Sequence, residues 1–504
     1  MTLDFHIITG NVFAQLLDPT DAHVQRMLDV LKYYDPVKSY ALGSTYFETL
    51  YNVQKRIFPA GLIDRVETEA VKSGGSVTVQ QVRPCPAGPE HDANLDWLKP
   101  FQREAVAACW EATRGIVKAP PGAGKTEVMI GLMRSIPCRW LVLANSGDVI
   151  RQGANRYHLR TGDTAGVVAD GRVDIPAHCS VVFATFQSVY AALAYAKKAH
   201  VDVYADRFRS ALTHKDRRIS VAALVTWADG LIVDEVQTAA ASTYTAVIQK
   251  CAHAYWRFGF SATPMDRSDN RSMVNEGLFG PIIHNVPIET LIASGDVAKP
   301  TIRMIRVDHP KDDLPGVQIT DEYRAKIEKN KLRNAAIVEV ATRAAKPCLL
   351  FVRHKSQLKW LSEKLGAKGL RIEYAVGATS PKDRTRIAKA LNDGELDVVV
   401  ATRVFYAGLD IPRLRSIIQG GAGKAVSDAI QQLGRGARNP VLEDGTRKGT
   451  FEMWDFYDED AGRMRRHSVG RIAAYRKAGF PTEVIDATAL AAALPKQRVG
   501  ASEP

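Results

Sequence analysis

Val24, Met27, Leu28 and Leu31 fall on one face of a helix over residues 21–33, with Thr20 or Asp21 as its cap. Phe58-Pro59-Ala60-Gly61-Leu62 reads as a turn into a second helix, which Gly74-Gly75 ends, and residues 76–82 alternate as a strand does. Together these elements predict a small α/β module. Arg83-Pro84-Cys85-Pro86-Ala87-Gly88-Pro89 follows as a stiff linker. The pattern then changes. Short apolar runs at Trp140-Leu141-Val142-Leu143, Val181-Val182-Phe183 and Leu231-Ile232-Val233 alternate with helical stretches, as in a parallel sheet covered by helices. Leu349-Leu350-Phe351-Val352 and Val398-Val399-Val400 begin a second set of the same kind, and two α/β lobes fit this better than one oversized sheet. A frayed helix at residues 487–494 and a loose tail close the chain. The expected fold is α/β, with domains at 1–90, 91–298 and 299–483 and a tail at 484–504.

Composition narrows the class. Apolar residues make up 46% and charged residues 24%, which suits a soluble globular protein rather than a disordered one. Lys and Arg outnumber the acids by 67 to 55, and the resulting charge of +12 suits a polyanionic partner. Residues 1–97 hold 8 Lys/Arg against 12 Asp/Glu, so the rest of the chain carries +16 and is where a basic surface is expected. The six cysteines are scattered without a C-x-x-C pair, which favours reduced thiols in a cytosol over a zinc site or disulfides. No export signal is visible in residues 1–13, and no run of 18 apolar residues occurs, so a cytoplasmic protein with no membrane partner is expected.

The chemistry is concentrated in two segments. In Ala119-Pro120-Pro121-Gly122-Ala123-Gly124-Lys125-Thr126 the glycines let backbone N–H groups turn toward an anion. Lys125 can reach β/γ-phosphates and Thr126 offers a hydroxyl to Mg²⁺. Ala119 stands where the usual pattern has its first glycine. Asp234-Glu235-Val236-Gln237 begins 108 residues after Thr126, directly beyond an apolar run, so its acids are exposed at the end of a buried strand. One carboxylate can hold a metal while its neighbour orients or deprotonates water. The pair points to a nucleoside triphosphatase. Read blandly, the first segment is a Gly-rich strand-to-helix turn and the second a helix start.

Further segments line up around these two. Leu98-Lys99-Pro100-Phe101-Gln102 precedes the loop, while Ala184-Thr185-Phe186-Gln187-Ser188 and Ser261-Ala262-Thr263-Pro264 bracket the acids. Later come Ala401-Thr402, Gly408-Leu409-Asp410-Ile411-Pro412 and Gln431-Gln432-Leu433-Gly434-Arg435-Gly436-Ala437-Arg438. In this order they resemble the superfamily 2 helicases and translocases, over roughly residues 95–480. Within that group the chain resembles the XPB-like branch, and especially phage fork-remodelling helicases of the UvsW type. The segments that carry this are Gly295-Asp-Val-Ala-Lys-Pro300, Asn330-Lys-Leu-Arg-Asn334, Gly420-Gly-Ala-Gly-Lys424, Trp454-Asp-Phe-Tyr-Asp458, residues 467–475 and the turn at Phe58 to Leu62.

The resemblance implies two tandem RecA-like parallel-sheet lobes after a small N-terminal α/β module, with ATP and Mg²⁺ as cofactors. It implies that Gln102 contacts adenine and that Pro121, Gly122, Ala123, Gly124, Lys125 and Thr126 cradle the phosphates. Asp234 would hold the metal with Thr126, partly through water, and Glu235 would be the general base. Arg435 and Arg438 would be arginine fingers, and Gly408 and Asp410 would lie near the ribose and phosphates. Ser261, Ala262, Thr263 and Gln431 would couple hydrolysis to movement. Thr185, Gln187, Arg353, His354 and Thr402 would touch the nucleic-acid backbone, binding without sequence preference and weakening with salt. Each of these five could equally be a strand-end cap.

Three departures stand out. Gln237 occupies a place where relatives often have His or Asp; an amide can still bridge to Ser261 or Thr263 but cannot titrate. Gln432 replaces an Arg, and Asn145-Ser146-Gly147 replaces a Pro-Thr pair that contacts DNA. Residues 190–222 carry seven Lys/Arg against three Asp, either a solvated helical face or a DNA-guiding arm. For residues 1–90 the resemblance suggests a branch-engaging domain, whereas the acidic balance suggests protein contact or packing on the first lobe. The function expected is an ATP-dependent DNA helicase or translocase on single-stranded, forked or branched DNA, moving 3′→5′. A monomer is expected, in the host cytoplasm if phage-encoded, among replication and recombination proteins. An RNA helicase and an ATP-gated clamp without processive motion remain as alternatives.

Overall fold

The computed structural model describes residues 3–82, 94–206, 208, 212, 214–265, 270–309, 319–402, 411–421, 433–434, 436–437, 439, 441, 445–459, 462–486 and 490. The chain forms two compact units, Met1–Pro120 with Gly124–Val286, and Pro121–Ala123 with Pro287–Pro504. No helix of the described residues is long and apolar enough to cross a membrane.

The first unit begins with a four-stranded sheet, in the order Ile57–Pro59, Phe13–Leu16, Phe5–Thr9, Val77–Gln81. Only the last pair is parallel, with Phe5 opposite Val77. Alternation puts Phe5, Ile7, Ala14 and Leu16 on the face that receives Met27 and Leu31 from one helical segment and Leu62, Val66 and Ala70 from another. Thr20 caps the helix Asp21–Val30, accepting from the His23 N–H. That helix stops short of the 21–33 span, because Tyr33 and Tyr34 pair as a strand with Phe47–Thr49. The strands Phe5–Thr9 and Phe13–Leu16 are additions to the module read from the sequence.

This module is seated on the rest of the unit. Residues Ala60–Leu62 form one 3₁₀ turn, buried throughout, which leads into the helix Ile63–Lys72. Gly61 lies so close to the helix Ser272–Phe279 that a Cβ on it would come within 2.2 Å of the Glu276 carbonyl oxygen. Arg65 pairs with Glu276 at 2.7 Å, and Asn11 donates to the Ala252 carbonyl at 2.9 Å. The turn at Phe58 to Leu62 is therefore a packing element.

Beyond it lies an eight-stranded sheet in the order Arg172–Asp174, Gly166–Ala169, Val181–Thr185, Trp140–Ala144, Gly230–Asp234, Trp256–Ser261, Arg114–Lys118, Ile282–Asn285. Every pairing is parallel except that of Arg172–Asp174. Trp140–Ala144 and Val181–Thr185 are buried along their whole length, as strands covered by helices on both faces must be. Part of the basic stretch 190–222 forms helices that pack together, Phe186–Lys198 and Arg217–Trp227. The second is buried from Ile219 to Trp227, so it is core. Arg218 lies over the Tyr195 ring at 3.6 Å and pairs with Asp216, and Arg217 donates to the Val173 carbonyl.

The second unit holds a wholly parallel seven-stranded sheet, in the order Ile372–Ala375, Val398–Ala401, Cys348–Phe351, Ser416–Gln419, Thr450–Glu459, Lys299–Asp308, Thr482–Asp486. Its edge strand runs to Asp486, which corrects the boundary expected at residue 484. Backbone pairing with Ile302 to Arg306 holds that strand in place. The stiff linker at residues 83–89 and most of the expected tail lie outside the described residues.

Candidate functional site

Arg114–Lys118 runs parallel to Trp256–Ser261 with Lys118 opposite Ser261, and the next N–H, that of Ala119, donates to the Ser261 carbonyl at 2.9 Å. The phosphate-type loop thus starts from a fixed point. Gly122 and Gly124 take φ values of +91° and +74°, which glycine adopts without strain. Gly124 caps the helix Lys125–Ser135, and a Cβ there would lie 2.5 Å from Gln102 Nε2. Gln102 is itself buried on the helix Pro100–Ala112 and accepts from the Lys99 N–H at 3.0 Å. Pro121 and Ala123 complete the loop, with Ala123 buried. The first N–H groups and the dipole of an 11-residue helix give such a loop a preference for anions.

Asp234 ends the strand Gly230–Asp234, and Glu235 turns the chain away from it with φ 55° and ψ 55°. A left-handed conformation costs a non-glycine residue roughly 1–2 kcal/mol. Here it aims Glu235 back along the strand end, where its Oε1 lies 3.6 Å from Lys125 Nζ. Burial and the neighbouring Glu235 carboxylate push Asp234 up to about 6, with the Lys125 charge opposing them.

Hydrogen bonds carry the arrangement onward. Gln237 Nε2 donates to Glu235 Oε2 at 2.9 Å, and Ser261 Oγ donates to Gln237 Oε1 at 2.5 Å. The Thr263 N–H donates to Ser261 Oγ at 2.9 Å, with Ala262 between them. Lys125, Glu235, Gln237, Ser261 and Thr263 therefore form one unbroken polar chain, and Gln237 makes the bridge an amide can make. The donor set fits a nucleoside triphosphate with Mg²⁺: a glycine cradle, an ammonium group, the Thr126 hydroxyl and the Asp234 carboxylate supply the N–H donors and hard oxygens this pair takes.

A second branch was not legible in the sequence. Thr238 Oγ1 donates to the Glu235 carbonyl at 2.9 Å and accepts from Asn145 Nδ2 at 2.9 Å. Gln187 Nε2 reaches the Asn145 carbonyl at 3.5 Å and the Tyr244 hydroxyl at 3.0 Å. Asn145, a departure from the expected pair, is thus tied to the acidic turn. Its place directly after Trp140–Ala144, at the same sheet edge as Asp234, was the available signal.

Of the residues expected at nucleic acid, Thr185 is buried and its hydroxyl serves a helix cap, accepting from the Ser188 N–H and donating to Ser188 Oγ. Gln187 is exposed. In the second unit Arg353 and His354 are exposed just beyond Cys348–Phe351, and Thr402 follows Val398–Ala401 with its N–H on the Ala375 carbonyl. Gly408, Asp410, Gln431, Arg435 and Arg438 lie outside the described residues, as does Gln432.

Three of the segments behind the XPB-like resemblance meet in the second unit. Arg333 donates to Asp458 at 2.9 Å and to the Gly420 carbonyl at 2.6 Å, all three deeply buried. Asp455 accepts from Arg471 at 2.8 Å and from the Tyr475 hydroxyl at 2.9 Å, which adds the helix Arg463–Lys477. Removing one partner of such a buried pair costs about 3–5 kcal/mol, because a charge is left alone.

Comparison with known proteins agrees with this geometry. Residues 96–266 match the family described as type III restriction enzyme, res subunit, and residues 330–440 match the helicase conserved C-terminal domain. The DNA 3′-5′ helicase XPB of Kineococcus radiotolerans is 28% identical over 400 residues, covering 77% of this chain and 65% of that relative, so the chain spans just under two thirds of its length. Among solved structures, a fragment of an HsdR subunit of a type I restriction enzyme from Vibrio vulnificus is similar with a TM-score of 0.53 at 15% identity, covering 94% of this chain and 85% of that one. T4 UvsW gives 0.43 at 16% identity, over 96% of this chain and 100% of that one, a level that separates no branch from another. Both sheets are of the RecA-like parallel type. The chain carries the res-subunit and helicase C-terminal domains in the order found in superfamily 2 helicases, and it is similar to their XPB-like branch.

Proposed function

We propose that this chain is an ATP-dependent DNA helicase or translocase acting 3′→5′ on forked or branched DNA. The observation that carries the reading is the polar chain from Lys125 through Glu235 and Gln237 to Ser261 and Thr263. Lys125 and the N–H groups around Gly122 and Gly124 would hold the phosphates, Thr126 and Asp234 the Mg²⁺, and Gln102 the base. Bound ATP supplies the phosphoryl group whose transfer to water drives the motor. Gln237 engages Glu235 Oε2, which leaves Oε1, the oxygen beside Lys125, to take a proton from water. Any change at Glu235 passes through Gln237 to the Ser261–Thr263 segment, the kind of link that converts hydrolysis into movement. Arg435 and Arg438 are proposed as the arginine fingers of the reaction.

The relative named a DNA 3′-5′ helicase supports both DNA and the polarity, while the preference for forks rests on the resemblance to UvsW-type helicases. Steady-state phosphate release and strand separation, measured on single-stranded, duplex, forked and four-way DNA and on RNA, test the reading. DNA should stimulate release, most strongly when forked, and Glu235→Gln should lower kcat by at least about 100-fold. Equal rates for the two proteins would remove Glu235 as the base. Stimulation by RNA alone, or hydrolysis without displacement on any substrate, would replace the DNA motor with an RNA helicase or a clamp.

A further inference from the structure

In the second unit Cys348–Phe351 and Ser416–Gln419 run parallel with Phe351 opposite Gln419, so Arg353 and Gly421 leave the sheet side by side. A third element reaches the same place. The helix Ile319–Tyr323 passes into a π turn, Arg324–Glu328, a rare widening that is frequent at functional sites. That turn is anchored from within: Tyr323, Ile327 and Met464 form a buried apolar cluster.

Tyr323 precedes this turn and Glu328 is its last residue. The Tyr323 hydroxyl donates to the Gly421 carbonyl. Its ring carries the Arg353 guanidinium 4.8 Å from the centroid and the His354 ring at 5.6 Å. Glu328 pairs with His354 Nε2 at 3.1 Å and accepts from Ser356 Oγ at 3.3 Å. Tyr323 itself is only 2% exposed, while Arg353 and His354 face solvent. Burial pushes the Tyr323 hydroxyl up to about 12, so it remains a donor at working pH. One buried phenol thus joins two exposed groups expected against phosphates to the start of the stretch that leads, in sequence, to Gln431, Arg435 and Arg438.

We propose that Tyr323 is a positioning residue that couples occupancy of Arg353 and His354 by a nucleic-acid phosphate to the Gly421 carbonyl, and thereby sets how strongly nucleic acid stimulates ATP hydrolysis. A phosphate that draws Arg353 from the ring face removes a cation–π contact and reseats the ring. The hydroxyl passes that adjustment to Gly421. The inference rests on the ATPase reading above.

Tyr323→Phe keeps the ring and deletes the hydroxyl, and Tyr323→Leu removes the platform as well. Phosphate release with and without saturating oligo(dT), affinity for labelled oligo(dT), KM for ATP and the melting temperature are measured for each. Tyr323→Phe should lower the ratio of stimulated to basal rate about fivefold, the worth of one buried hydrogen bond. Its oligo(dT) affinity and KM for ATP should stay within about twofold of wild type, since the cation–π contacts remain. Tyr323→Leu should lose the stimulation without weakening oligo(dT) binding, since no ring then competes with phosphate for Arg353. A Tyr323→Phe protein with wild-type stimulation, or with basal and stimulated rates reduced by the same factor, overturns the inference alone. A wild-type protein that no nucleic acid stimulates overturns the proposed function, and this coupling with it.

Discussion

The seat of the N-terminal module can be tested through one methyl group. In Gly61→Ala the new Cβ would stand 2.2 Å from the Glu276 oxygen, 2.6 Å from the Gly280 nitrogen and 2.8 Å from the Gly277 oxygen. All three are backbone atoms of one short helix and its end, so no side chain can rotate out of the way. The turn must retreat by roughly 1 Å, in a region packed as densely as an organic crystal. Overpacking of this kind costs about 1–3 kcal/mol. Retreat also loosens the Arg65–Glu276 pair; with Arg65 40% exposed and Glu276 15%, that pair adds no more than about 1 kcal/mol.

The expected loss is therefore about 1–4 kcal/mol, or roughly 2–7 °C in the first thermal transition for a unit of this size. Circular dichroism melts of wild type, Gly61→Ala and Arg65→Ala would measure it, with Arg65→Ala setting the scale of the ion pair alone. Limited proteolysis should cut the linker region earlier in Gly61→Ala. A Gly61→Ala protein as stable as Arg65→Ala, within about 0.5 kcal/mol, would mean that the turn is not seated against Ser272–Phe279, and the packing argument would fail.

Two further outcomes are expected. Gln237→Ala leaves Glu235 Oε2 and Ser261 Oγ without their shared partner; it should cost about 1–3 kcal/mol in urea unfolding and lower kcat for ATP more than it raises KM, which phosphate-release kinetics would show. Asp234, raised from 3.8 to about 6, holds its proton more tightly in the native chain than in the unfolded one. Its ionised form therefore weakens the metal-free, nucleotide-free protein at neutral pH, and the deficit fades as pH falls through 6 toward 3.8. In EDTA, Asp234→Asn should accordingly be more stable than wild type by about 1–3 kcal/mol at pH 7, with the gap closing near pH 4. A constant gap across that range would remove burial and the neighbouring carboxylate as the cause.

The legible parts of the chain were those where one local rule governs. Apolar runs such as Trp140 to Leu143 and Val398 to Val400 mark buried parallel strands because both faces are covered. The phosphate loop is written in its glycines, and Gln237 could be read as a bridge because an amide has both a donor and an acceptor. What was not legible depends on pairing across the fold. Tyr33 looks like the end of a helix until Tyr34 finds Phe47 across a strand pair. Thr185 could face a phosphate or cap a helix, and only the nearby Ser188 decides for the cap. Arg333, Asp458 and Arg471 appeared as family signposts without a task, since their partners lie more than a dozen positions away or on other elements.

The placement of the polar residues follows from the parallel sheets themselves. When strands run the same way, their carboxyl ends share one edge, so residues far apart in sequence become lateral neighbours. In the first unit that edge sets Ala144 beside Thr185 and Ser261 beside Lys118. The residues just beyond therefore bond sideways, Asn145 to Thr238 and Ala119 to Ser261. In the second unit the same edge presents Arg353, His354 and Thr402. An Arg or Gln reads a base best as a planar fork free to reach its edge. Arg353 lies over the Tyr323 ring, and Gln187 is engaged by Tyr244 and the Asn145 carbonyl. What these side chains present outward is charge and dipole rather than a fork, which favours grip on phosphates over recognition of sequence, as the proposed motor would require.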